Sequence, residues 1–395
     1  MAKGDSINNH PVKCYGCSIC SYICPKSAIN MKLDMKGFYY PYVIEKKCVG
    51  CRLCVSVCPI GREETFKNKM ADSCFAIKND DKTRLLSSSG GVYTAITDVI
   101  LSRGGDCVGV KYDDNLFPTF SVAIKPEQRD QHRGSKYIQP IIYKAILEEI
   151  EKHIKLGKYI VISGSPCTIV GIKSLIKEKR LNDEKILFVD IVCHGVPSPK
   201  MWRDYLDALE MKYNSKVIEY SFRDKTKGWR GYHVRVQFEN GLVVEDSNDV
   251  NSFVNLFKEN LSLRDSCYSC PYASMSRCGD ITIGDFWGIE NIDGEFSDNT
   301  GVSMVFVNST KGIDILNTIK PRVKYKSYSS RVIIQHNLHK PTEHGLDNKH
   351  FWRIYKKNGY LAAMNRFAKG GKLFFLYYYK KAIIIRLKKL KDRTF

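Results

Sequence analysis

Two runs of cysteine pose the first chemical question. Cys14, Cys17, Cys20 and Cys24 follow C-x2-C-x2-C-x3-C with Pro25 next, and Cys48, Cys51, Cys54 and Cys58 repeat it with Pro59 next. Three thiolates two residues apart suit three corners of one cuboidal iron–sulfur cluster, because a tight loop can wrap them. The fourth cysteine of each run then ligates the other cluster. The spacing assigns one [4Fe-4S] cluster to Cys14, Cys17, Cys20 and Cys58, and a second to Cys48, Cys51, Cys54 and Cys24. Paired zinc sites are the competing reading, but zinc needs no interleaved repeat. Two such clusters carry electrons one at a time and do not by themselves transform a substrate.

These runs use eight of the 15 cysteines. Cys267 and Cys270 form another C-x2-C pair, with Cys278 close behind. Cys167 in "SGSPCTIVG" and Cys193 in "VCHGVPSP" stand where a strand gives way to a turn. Free cysteine is often a packed core thiol, which is the plain reading of these two. Cys74 and Cys107 lie in apparent strands without partners and read as core.

The elements that must position these groups alternate. "AINMKLDMKGFYYPYVI" reads as a hairpin with Gly37 at the turn, and the cysteine module, residues 1–62, ends soon after it. The charged stretch "REETFKNKMAD" reads as a linker. "CFAIKN" is a strand, and "GGVYTAITDVILSRGG" is a helix with Ser87 to Ser89 as capping candidates. "KYIVISGSPCTIVGIKSLIKE" and "KILFVDIVCHGVPSPKMWRDYLDALE" each read strand, turn, helix. "VIEYSFRD", "YHVRVQF" and "LVVED" alternate with period two and suggest an antiparallel portion. The fold class is α+β: a small two-cluster domain, then an α/β body over 73–345 with a partly parallel mixed sheet. That body divides near 160, and residues 346–395 form a basic helical tail.

Three turns could meet a ligand, since small residues and free amides where strands give way to helices attract phosphate. They carry Ser89, Gly90 and Gly91; Ser163, Gly164, Ser165 and Thr168; and Cys193 with His194. His194 is the catalytic candidate, because its pKa near 6.5 suits proton relay. Arg223 and Lys225, in the loop "SFRDKTKGW", could hold phosphates or an acidic coenzyme tail. No Ser-His-Asp or paired-carboxylate arrangement stands out, so hydrolysis is disfavoured.

The chain has 395 residues, 43% hydrophobic, with a net charge of +20. No run of about 18 apolar residues occurs, so no spanning helix is expected. The first residues lack the apolar core of a signal peptide, which points to the cytoplasm. Fifteen cysteines in a reducing compartment imply metal ligation rather than disulfides. No helix-turn-helix or zinc-finger spacing accompanies the positive charge, so nucleic acid is not an expected partner. The segment "GKLFFLYYYKKAIIIRLKKLKDRTF" mixes apolar and lysine clusters and could rest on an anionic membrane surface, giving a peripheral position at the inner membrane face.

Together, "SSSGGVYTAI", "RGSKYIQ", "SGSPCTIVGIK", "DIVCHGVPSP", "SFRDKTKGW", "CYSCPYASMSRCGDITIGDFWGI" and "GVSMVFVNSTKG" resemble the coenzyme F420 hydrogenase/dehydrogenase beta-subunit family, over residues 10 to 345. The N-terminal module resembles a bacterial-type two-cluster ferredoxin. The resemblance implies an oxidoreductase with FAD and a third cluster in the body, held by Cys167, Cys193, Cys267 and Cys270, with Cys278 as a substitute. It implies flavin-site roles for Lys136, Tyr137 and Asp285. Coenzyme F420 or a similar hydride donor or acceptor is the implied substrate, and a redox protein or ferredoxin the implied partner. In an organism without coenzyme F420, the implied alternative is an electron-transfer subunit or reductase tied to cell-surface polysaccharide synthesis.

Overall fold

The computed structural model describes Ile7 and residues 13 to 368. The basic segment read as a membrane-surface helix, 371–395, lies outside the described residues. In the N-terminal module β1 (Ile29–Leu33) and β2 (Tyr39–Val43) pair antiparallel. Gly37 makes their turn at φ +81°. Two short helices, Ile19–Ile23 and Leu53–Ser56, carry the middle of each cysteine run.

The body begins with β3 (Ser73–Lys78), β4 (Asp106–Tyr112), β5 (Pro118–Ala123), β6 (Ile160–Gly164) and β7 (Ile186–Ile191). Next comes the expected antiparallel portion, β8 (Val217–Ser221), β9 (Arg235–Phe238) and β10 (Val243–Glu245), which forms its own three-stranded sheet. The chain then returns with β11 (Ile281–Asp285), β12 (Ser303–Val307) and β13 (Lys324–Ser329). The main sheet has eight strands in the order β13-β3-β12-β11-β7-β6-β4-β5. Its centre, β4-β6-β7-β11, is parallel. Both flanks are antiparallel. The mixed, partly parallel sheet is therefore as the strand–turn–helix pattern implied.

The central strands are near-continuous apolar runs because both faces are covered. Val161, Leu187 and Val189 pack under helices Val92–Ser102 and Thr310–Ile319. Ile160, Ile162, Ile186 and Phe188 pack against Lys144–Lys155 and Pro166–Glu178 on the other face. A separate aromatic core joins the small sheet to helices Pro199–Tyr213, Ser252–Lys258 and Asn348–Phe367. That last helix, read from sequence as the start of a tail, buries Phe351, Trp352 and Tyr355 beside Trp202 and Phe253. It breaks at Gly359, whose φ of +80° is non-helical. Among the described residues no helix is long and apolar enough to cross a membrane.

Three sequence details change. The tail helix is one. Ser87, Ser88 and Ser89 are another: they do not cap the following helix, which Gly91 opens in the left-handed conformation. Their hydroxyls have other partners: Ser87 donates to Thr83 O, Ser88 accepts from Ser135 N, and Ser89 donates to Val302 O. The third is the stretch read as a linker. It is pinned to the body, because Asn68 Nδ2 donates to the carbonyls of Arg277 and Gly279 at 3.1 and 2.9 Å.

Candidate redox site

The two cysteine runs fold as a repeat. Gly16 and Gly50 adopt φ of +72° and +68°, followed after one cysteine by Ser18 and Arg52 at +64° and +63°. These left-handed residues curl each loop around its own sulfurs, and Gly16 N–H lies 3.4 Å from Cys14 Sγ. Cys14, Cys17, Cys20 and Cys58 line one small cavity. Cys24, Cys48, Cys51 and Cys54 line another. Each run thus gives its fourth cysteine to the other run's cavity. Exposure runs along the module: Cys48 and Cys51 are exposed, whereas Cys20 is buried.

A third thiol cavity lies at the carboxyl ends of β6 and β7. It is lined by Cys167, Cys193, Cys267 and Cys270, with Cys17 of the module at one side. Cys167 sits in the first turn of helix Pro166–Glu178, with Ser165 Oγ 3.3 Å from its sulfur. Cys193 follows β7, which lies beside β6 in parallel register. Cys267 belongs to the short turn Asp265–Ser269, which Arg264 N ties to Val196 O at 3.0 Å. Gly195 permits that approach: at φ +137°, a Cβ there would meet Leu263 Cδ1 at 2.8 Å and Cys267 Cβ at 3.2 Å.

Among the described residues no three His, Cys, Asp or Glu side chains converge as a single ion would need. Sulfurs spread around a void instead suit a polynuclear centre. Burial pushes the thiols of Cys167 and Cys193 up, Cys267 to about 12 and Cys270 to about 11. Thiolates there would need positive charge beside them, as a bound metal centre gives. Cys278 stands apart: it is buried, with its sulfur 3.6 Å from Pro166 O and 3.8 Å from Asp190 Oδ2. Cys74 and Cys107 are fully buried in β3 and β4.

A larger cavity of about 280 Å³ opens beside the third thiol cavity. Its wall includes Ser89, Gly91, Lys136, Tyr137, Ser163, Gly164, Ser165, His194 and Asp285. Ser165, Cys193, His194 and Gly195 border both voids. Of the remaining sequence candidates, Thr168 faces the thiol cavity. Gly90 packs behind the wall, where a Cβ would meet Ile77 O at 2.2 Å and Ser303 N at 2.4 Å. Arg223 and Lys225 also stand behind it. Arg223 donates to Asp285 Oδ2 at 3.2 Å and to Trp229 O at 3.0 Å. Lys225 Nζ donates to the carbonyls of Arg84, Ser89 and Thr300. Arg223 and Lys225 therefore shape the Asp285 and Ser89 walls rather than line the void.

His194 is clamped. Its Nε2 meets Asn260 Oδ1 at 2.7 Å, its Nδ1 meets Asn337 Oδ1 at 3.3 Å, and Phe257 packs edge-on. Burial pushes its pKa down. A neutral ring carries one N–H, so it donates to one of these two amide oxygens and not to both. Lys136 Nζ reaches three carbonyls, of Gln131, Arg133 and Gly134, and burial lowers its pKa to about 7.

Sequence reasoning missed Tyr93 and His132, which also line the larger cavity. Tyr93 OH lies 3.2 Å from His132 Nδ1, and His132 Nε2 lies 2.8 Å from Ser121 Oγ. It also missed Arg264, whose side chain lines the thiol cavity. Tyr93 stands inside the "SSSGGVYTAI" stretch but carries no chemical signal there, whereas His132 and Arg264 lie outside the quoted motifs and are placed by distant segments.

Residues 157–329 match the family model for the C terminus of the coenzyme F420 hydrogenase/dehydrogenase beta subunit. Residues 13–62 match the 4Fe-4S dicluster domain. No curated protein matches the chain. A solved structure described as xenon derivatization of the F420-reducing [NiFe] hydrogenase complex from Methanosarcina barkeri is similar at 18% identity, covering 76% of this chain and 91% of that chain, with a TM-score of 0.46.

Proposed function

We propose that this chain is a flavin-dependent iron–sulfur oxidoreductase. It carries the C-terminal domain of the coenzyme F420 hydrogenase/dehydrogenase beta-subunit family behind a 4Fe-4S dicluster domain. One observation carries the reading: the Cys167, Cys193, Cys267 and Cys270 void shares a wall with the larger cavity. A two-electron site and a one-electron site belong side by side when hydride chemistry must feed single-electron carriers. A flavin supplies that exchange, since it takes two electrons together and releases them singly. Gly91 and Ser165, with the N-terminal amides of helix Val92–Ser102, offer its phosphates uncharged donors. The void approaches the roughly 300 Å³ at which ligand pockets begin.

The four body cysteines would hold a third [4Fe-4S] cluster, and FAD is the flavin the resemblance implies. Coenzyme F420 or a similar small molecule would exchange hydride with it. The exposed Cys48 and Cys51 loop would meet a one-electron partner, a ferredoxin or another redox protein. An electron-transfer subunit without turnover of its own is the second reading, and that exposed loop favours it equally.

Anaerobic purification with flavin and iron quantitation separates these ideas. Visible spectra are then followed on adding reduced F420, NADH, NADPH or reduced ferredoxin in turn. Bound flavin bleached by a hydride donor is the expected result. Absence of flavin and of flavin affinity would sink the enzyme reading, while iron without hydride-donor bleaching leaves the carrier.

A further inference from the structure

Arg264 is 1% exposed, yet every acceptor it holds is neutral. Its Nε donates to Cys14 O at 2.6 Å, Nη1 to Gln139 Oε1 at 2.9 Å and Nη2 to Tyr39 O at 2.9 Å. Among the described residues no carboxylate pairs with it; the adjacent Asp265 pairs with Lys36 at 2.5 Å instead. The rings of Tyr40 and Phe38 lie 4.1 and 5.4 Å from the guanidinium carbon and soften the cost without neutralising the charge. A cation buried without an anion is among the costliest things a fold can hold. Its position says what the anion is. Arg264 lines the void of Cys167, Cys193, Cys267 and Cys270, and its charge acts on Cys167 and Cys267. It also presses on the Cys14–Cys17 loop, where a Cβ on Gly16 would lie 2.9 Å from Nη1. A cuboidal cluster with four thiolate ligands is negative in both of its oxidation states. Arg264 therefore has an anionic neighbour on each side once the thiol sites are loaded.

We infer that Arg264 is a positioning residue that raises the reduction potentials of the two thiol sites it separates, Cys14/Cys17/Cys20/Cys58 and Cys167/Cys193/Cys267/Cys270. The inference rests on the cluster assignments above. Each reduction adds one electron and no proton, so negative charge grows at the site. A fixed, buried cation stabilises that added charge on both sides of the junction. At the outer site, where Cys48 and Cys51 are exposed, solvent screens the cation's charge. The same side chain ties the module to the body through Cys14, Tyr39 and Gln139. Electron passage and docking thus share one residue.

The test uses the full chain, reconstituted anaerobically, as wild type, Arg264→Gln and Arg264→Lys. Iron is quantified first, and cluster potentials are then read by EPR-monitored redox titration. In the Gln variant the reduced-to-oxidised ratio at both flanking sites should fall about tenfold at fixed ambient potential, which is about 59 mV for one electron. The Cys24/Cys48/Cys51/Cys54 site should not move. Lysine keeps the charge without the three-pronged hydrogen bonding, so it should restore most of the shift. Unchanged potentials in a fully loaded Gln variant would overturn the inference. So would a Lys variant that falls as far as Gln, because charge would then not be the cause. If the Gln variant fails to load iron, the Lys variant decides alone: wild-type potentials support the role and lowered ones remove it. If wild type itself holds iron for only two clusters, the body-cluster reading fails, and Arg264 is judged on the Cys14 site.

Discussion

At the scale of single residues, the two classes of cysteine differ in what reveals them. The cysteines between residues 14 and 58 are local, so spacing alone predicts how they group around two cavities, down to the crossed fourth cysteine. Cys167, Cys193, Cys267 and Cys270 come from separate segments, and only the order of β6 and β7 in the sheet, with the Arg264–Val196 tie, gathers them. Cys278 reads from sequence as a substitute ligand, yet it faces Asp190 and Pro166 instead of the void. Replacing Cys193 by alanine should therefore lower iron by one cluster's share. Cys278→Ala should keep it all, and iron lost equally by both would contradict this geometry. Arg264 and His132 could not be read at all, because one arginine or histidine in a basic chain carries no local signal. Burial pushes His132 down to about 3, with the neighbouring cations Lys136, Lys111 and Arg129 adding to the shift. The unfolded value is about 6.5. Between these pH values the unfolded chain binds a proton that the fold refuses, so stability present above pH 6.5 is lost as pH falls toward 3. Urea titrations of wild type and His132→Gln at pH 7 and pH 4.5 should show a larger acid loss for wild type. Equal losses would mean the ring is not held neutral.

At the scale of elements, the strand–turn–helix units were readable because apolar runs and small-residue turns are local signals. How the module meets the body was not, because the contact is made by residues far apart in the chain, among them one helical glycine. Gly171 sits mid-helix in Pro166–Glu178, where glycine costs about 1 kcal/mol relative to alanine. A Cβ there would meet Cys17 Cβ and Sγ at 3.2 Å and Ile19 Cγ1 at 3.3 Å. The helix gives up propensity so that the Cys17 loop can lie against its backbone. Gly171→Ala therefore combines a helix gain of about 1 kcal/mol with a few tenths of an ångström of crowding on Cys17. Gly171→Val removes the balance, since a branched side chain has nowhere to go. The valine variant should expose the segment around residues 62–72 to protease while the body's own core stays resistant. Cleavage no faster than in wild type would show that the module does not depend on this contact.

At the scale of the whole molecule, the voids stand in a row. Cys20, Cys24, Cys54 and Cys58 share one apolar cluster, which joins the two sites of the dicluster module. Tyr15 and Cys17 line both the inner module site and the body thiol cavity. Cys193 and His194 line both that cavity and the larger one. Only the outer loop, with Cys48 and Cys51, is exposed among these cysteines. Under the proposed function this arrangement would give one-electron traffic an entrance at the outer loop and hydride traffic a different one at the larger cavity, so the two could be cut separately. Cys51→Ser removes a ligand from the outer site and leaves the larger cavity untouched. If the row is the route, reduction of bound flavin by a one-electron protein donor should slow about tenfold or more, which corresponds to at least about 1.4 kcal/mol of added barrier. Bleaching by a hydride donor should proceed at the wild-type rate. Stopped-flow absorbance with each donor reads both. Slowing of both would mean that the variant has damaged the fold, and slowing of neither would mean that electrons enter nearer the body, bypassing the outer site.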